Sequence, residues 1–128
     1  MPKSERGSVT AEFALVMPFV ALVILVLLQT GVAAKDGVLV AHAAREGARQ
    51  AATSDDDGEI ARAARVAAGG LGDDRVRVFL NAPGGWRAGR SVSVTVEYDT
   101  PCLFPGIAKI WPGLTHRTTA TMRREKDR

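Results

Sequence analysis

The side chains able to do chemistry are few and poorly grouped. The 128 residues include two histidines, His42 and His116, and one cysteine, Cys102. The histidines fall on different predicted elements, with no cysteine or carboxylate at metal-ligand spacing, so no metal site is expected. Asp55-Asp56-Asp57 opens like a calcium loop, yet counting from Asp55 no glycine stands sixth and no glutamate twelfth. There is no Gly-x-Ser-x-Gly, no phosphate-binding glycine loop and no carboxylate pair set between apolar stretches. The expectation is a protein that is not an enzyme and needs no cofactor. The ionisable residue of most consequence is Glu12, which stands at the edge of a long uncharged run. A carboxylate at a membrane edge is expensive enough to call for a partner.

That run extends from Phe13 to Ala34, 22 residues without a charge. As one helix it spans about 33 Å at 1.5 Å per residue, enough for a bilayer core of about 30 Å. The spacing predicts a membrane-spanning segment over residues 8–34, with Pro18 a tolerated kink. Ahead of it lies a leader, residues 1–7, carrying Lys3, Glu5 and Arg6. Lys35 and Asp36 cancel just beyond the run, so the positive-inside rule sets the leader in the cytoplasm and residues 35–128 outside. Two other arrangements use the same residues. Val32-Ala33-Ala34 has the small residues of a signal peptidase site, which would release a secreted binding domain beginning at Lys35. An uncleaved single-pass envelope protein is the other.

A glycine closing a short basic leader, a glutamate five places on, then a long apolar run resembles the class III signal of type IV pilin-like proteins. The resemblance implies cleavage by a prepilin peptidase between Gly7 and Ser8, leaving Glu12 as the fifth mature residue. It also implies that the carboxylate of Glu12 pairs with the freed amine of Ser8, on this subunit or a neighbour. Glu12-Phe13-Ala14-Leu15-Val16-Met17-Pro18, taken with Ala43-Ala44-Arg45-Glu46-Gly47-Ala48-Arg49-Gln50-Ala51-Ala52, narrows this further. Together they resemble the TadE-like proteins of tight-adherence (Flp-type) pilus systems. The resemblance covers roughly the first 52 residues. Ser8 in place of a bulky apolar N-terminal residue is a departure. The implied role is that of a minor pilin or pseudopilin in the cytoplasmic membrane. Its implied partners are the prepilin peptidase, other pilin-like subunits, the pilus assembly machinery and the membrane.

Beyond the run the helical pattern continues, and one long helix is expected from Val9 to Thr53. Ala33, Gly37 and Ala41 recur every four residues, and Ala44, Ala48 and Ala52 make a neighbouring row. Such stripes let helix backbones approach closely. Ser54 and Asp57 have the spacing of a capping box for a second helix. Ile60, Ala63, Ala64 and Ala67 mark that helix, which Gly69-Gly70 ends. The period then falls to two. Val76, Val78 and Leu80, then Val92, Val94, Val96 and Tyr98, then His116, Thr118, Ala120 and Met122 define three strands. The expected class is α+β and pilin-like: a long N-terminal helix, a short second helix and a small antiparallel sheet.

Pro101 to Leu114, between the last two strands, is too apolar for an ordinary surface loop. It finishes the core, offers a docking surface to another subunit through Leu103, Phe104 and Trp111, or lies at the membrane interface with Trp111 at the headgroups. Net charge is +3 with a pI near 9.5, but the basic residues are scattered and aromatics make up 5%. A nucleic-acid partner is not expected on that distribution. Arg123-Arg124 and the residues after them read as a solvated tail. One cysteine excludes an internal disulfide, though Cys102 could bridge to another chain.

Overall fold

A computed structural model describes residues 3–110 and 113–125, with side chains from Gly7 onward. Six elements follow in order: helix α1 (Lys3–Thr53), helix α2 (Asp57–Ala67), a 3-10 turn (Asp73–Arg75), and strands β1 (Val76–Asn81), β2 (Ser91–Thr100) and β3 (Leu114–Arg123). The class is α+β, as the periodicities predicted. Contacts divide the chain into two units, residues 1–32 and residues 33–128.

The first unit is helix alone. α1 begins six residues before the expected Val9, because nothing in Lys3-Ser4-Glu5-Arg6 opposes helix and Gly7 by itself costs only about 1 kcal/mol. Pro18 lies inside it without ending it. Phe13, Leu15, Phe19, Leu22 and Leu27 are all exposed, as befits a helix with no protein around it.

The second unit has the core. Its sheet runs in the order β1-β2-β3, antiparallel throughout, with β2 central. Val78 pairs with Val96 and Val94 with Ala120, so the alternating apolar positions of the three strands share one face. On β2 that face is Val92, Val94, Val96 and Tyr98, all buried. Val40, Ala43, Ala44, Ala48 and Ala51 of α1 join them in one cluster with Ile60 and Ala64 of α2. Small side chains on α1 let it lie close to the valines. At Gly47 an added Cβ would stand 2.9 Å from Val94 Cγ1 and 3.1 Å from Ala64 Cβ, so helix, strand and second helix meet at that glycine.

Apart from Phe79, the other face of the sheet is mostly polar, and several of its side chains pair with one another. Ser93 and Thr121 hydroxyls lie 2.8 Å apart, and Thr95 and Thr119 2.7 Å. Glu97 takes ion pairs from Arg77 at 3.5 Å and Arg117 at 3.1 Å. These cross-strand pairs fix the register on the wet side, as the valines do on the dry one.

The start of α2 corrects the expected capping box. Asp56, not Ser54, is the N-cap, and its carboxylate accepts from Gly58 N at 2.7 Å. Ser54 instead accepts from Asp56 N at 3.2 Å and donates to Glu59 at 2.7 Å. Three consecutive aspartates offer alternative caps, and the one with extended backbone geometry takes the role.

Candidate membrane anchor and assembly surfaces

The N-terminal candidates lie on one uninterrupted helix. Gly7 is helical and exposed, and a side chain placed there would meet nothing within 4 Å. Ser8 and Glu12 are also exposed, and Glu12 makes no ion pair among the described residues. From Glu12 the helix carries exposed apolar side chains to the end of the first unit. By length and composition α1 can cross a membrane, and none of its most apolar stretch is buried within the protein. Residues 7–49 match the family model described as TadE-like protein. Over that third of the chain, α1 is similar to the TadE-like family. The match begins on Gly7, crosses Ala34 and ends at Arg49, on the part of α1 that belongs to the second unit. No curated protein and no solved structure matches the chain.

Helix α1 uses its small residues unevenly. Ala44 and Ala48, expected to pack against other helices, are wholly buried in this protein's own core. They are therefore closed to a neighbouring subunit in this fold. Ala33, Gly37 and Ala41 are half-buried. Gly37 faces His116 of β3, whose Nδ1 would lie 3.2 Å from an added Cβ.

Two polar ties hold the sheet to α1, and sequence reasoning missed both. Asp36, taken above as a flanking charge, is buried. Its carboxylate accepts from Thr100 Oγ1 at 3.0 Å and lies 3.4 Å from Lys35 Nζ. A signal was available: Asp36 falls in helical register with Val40, Ala43, Gly47 and Ala51, the face that packs. Arg124, taken as part of a solvated tail, is buried too. It donates to Ala51 O at 2.8 Å and Ser54 O at 3.1 Å, and pairs with Asp55. Its guanidinium carbon stands 5.2 Å from the ring centre of Trp86. Glu125 N donates to Ala52 O at 3.0 Å, so the chain after β3 serves carbonyls that the end of α1 leaves open. No local pattern marks Arg124, because its partners lie about 70 residues away.

On the outer side of α1 the Arg49 guanidinium is hydrogen-bonded to Glu46, at 3.2 Å from Nε to each carboxylate oxygen. That bond holds the Glu46 carboxyl below its ordinary range and raises Arg49. Whatever stability the pair adds is present above the unfolded carboxyl pKa and lost as pH falls through the lowered one; solvent screening keeps it small. His42, Glu46 and Gln50 line an open groove against Glu59, Arg62 and Val66 of α2. Among the described residues no group of histidine, cysteine or carboxylate side chains could hold a metal ion.

Of the expected partner surface, Leu103 is exposed and Phe104 half-buried, and Trp111 lies outside the described residues. Pro101, Cys102, Ile107 and Ile110 also stay out of the core cluster. Cys102 is half-buried, with Sγ donating to Phe104 O at 3.3 Å.

Proposed function

We propose that this protein is a membrane-anchored minor pilin or pseudopilin of a tight-adherence (Flp-type) pilus, cut after Gly7 by a prepilin peptidase and assembled through α1. The carrying observation is the family match over residues 7–49, joined to an apolar helix that the protein itself leaves bare. An exposed run of this length must be covered by lipid or by other helices. In a fibre, the same surface would pass from lipid to neighbouring subunits. Glu12 is then the one charge carried into that surface, and the amine of Ser8 created by cleavage is its natural counter-charge. The role is structural: residues 8–34 anchor, and residues 35–128 form an extracytoplasmic domain offered to partners.

The mature N-terminus tests this reading. N-terminal sequencing and intact mass of native protein should give Ser8, in material that pellets with membranes until assembled. Gly7→Leu should leave the precursor uncut and membrane-bound, since the open space around Gly7 makes the change harmless to the helix. A soluble protein beginning at Lys35 would replace this reading with a secreted domain. Met1 or Pro2, in cells with an active prepilin peptidase, would indicate an uncleaved envelope protein. The family match running across Ala34 favours the first outcome.

A further inference from the structure

The loop between β2 and β3 springs from a defined level along α1. Thr100, the last residue of β2, bonds Asp36, and Leu114, the first of β3, pairs with Thr100. Both ends of the loop therefore lie level with Asp36. The uncharged run of α1 ends at Ala34, two residues earlier and about 3 Å along the helix axis. If residues 13–34 fill the hydrocarbon core, the base of the loop falls in the adjoining headgroup layer, roughly 5–7 Å thick.

The composition and backbone of the loop suit that layer. Pro101 to Leu114 carries a single charge, Lys109, and no acid. Ile110 is 84% exposed and Leu103 45%, with Ile107 half-buried. Successive turns pair part of its described backbone: Ile107 N donates to Phe104 O at 3.0 Å, Ala108 N to Pro105 O at 3.3 Å, and Ile110 N to Ile107 O at 2.9 Å. Polar backbone groups paired in this way lower the cost of leaving water. A lysine beside apolar side chains can keep its stem among them and its ammonium at a lipid phosphate.

We infer that this loop, through Leu103, Phe104, Ile107 and Ile110, is a contact with the surface of the bilayer that α1 crosses. It rests on α1 being a membrane anchor, and it takes lipid rather than protein as the occupant because the loop base continues the membrane boundary set by that helix. The contact would hold the domain at the membrane until the subunit is extracted.

Nitroxide labels on the full chain test it, with Cys102→Ser leaving a single labelling site in each variant. Ile110→Cys, Val66→Cys on α2 and Leu22→Cys in the apolar run are reconstituted in vesicles of phosphatidylcholine and phosphatidylglycerol. Collision of each label with oxygen and with a water-soluble nickel chelate reads its depth. Leu22 should be deep and Val66 aqueous, with the oxygen-to-nickel ratio at Ile110 several-fold above that at Val66. A ratio at Ile110 equal to that at Val66, with Leu22 deep, overturns the loop contact and leaves the anchor intact. A label at Ile110 shielded from both reagents means protein covers the loop, which also overturns it. An aqueous Leu22 removes the anchor, and the inference falls with it.

Discussion

Arg124 joins what the chain order keeps apart. A buried guanidinium is tolerated when most of its donors are used, and here the carbonyls of Ala51 and Ser54, the carboxylate of Asp55 and the ring of Trp86 receive it, while Nε has no partner among the described residues. Arg124→Ala should therefore destabilise the domain by roughly 2–3 kcal/mol, since it strips partners from buried carbonyls and opens space beside Trp86. Arg124→Lys should recover only part of this, because a point ammonium cannot span the same acceptors. Chemical denaturation of the detergent-solubilised chain measures both, and an unchanged midpoint for the alanine variant would return Arg124 to the status of a tail residue. The contrast with Glu46 and Arg49 is instructive. That pair is local, three residues apart, and readable from the sequence, yet it is exposed and adds little. Arg124 and Asp36 matter more to the fold and were harder to read, since their partners are set by tertiary contact.

At the scale of elements, period was a sound guide and fine chemistry was not. Alternation located all three strands, and i, i+3, i+4 spacing located α2, because burial of one face imposes both patterns. Caps misled, and stripes were ambiguous, where several residues of one type compete: three aspartates for one N-cap, and ten alanines and glycines from Ala33 to Ala52 for two kinds of packing. Ala44 and Ala48 looked like an assembly stripe and belong to the domain core. Gly47 is the sharpest instance. Gly47→Ala gains about 1 kcal/mol of helix propensity but drives a methyl into Val94, where overpacking costs about 1–3 kcal/mol. A net loss of roughly 1 kcal/mol is expected, read as a lowered thermal midpoint. Gly31→Ala, where nothing lies within 4 Å, should show no such loss. Equal behaviour of the two variants would mean that α1 does not lie against β2 as described.

For the whole molecule, insertion and assembly should separate at one residue. Removing the charge of Glu12 makes entry into the bilayer no harder. Glu12→Ala should therefore fractionate with membranes as the wild type does, while losing crosslinks to other pilin-like subunits and recovery in sheared fibres. Undiminished crosslinking would reduce Glu12 to a helix residue at the membrane edge. Neither the proposed pairing with Ser8 nor the proposed subunit partners were legible from residue chemistry; both are implied by likeness to a family. What the residues themselves supplied was the length of the apolar run.

The two ties between sheet and helix also set an order of events in time. Thr100 reaches Asp36 across 64 residues, and Arg124 reaches Ala51 across 73. Closure entropy rises only slowly with length, so both wait on a comparably improbable encounter. α1, by contrast, can form within itself, and β2 with β3 can zip from their shared loop. In that order of events the alanine face of α1 and the valine face of β2 would be complete before either covers the other, and neighbouring chains could then pair with the wrong partner. Docking of the sheet on α1 is therefore the step expected to come last.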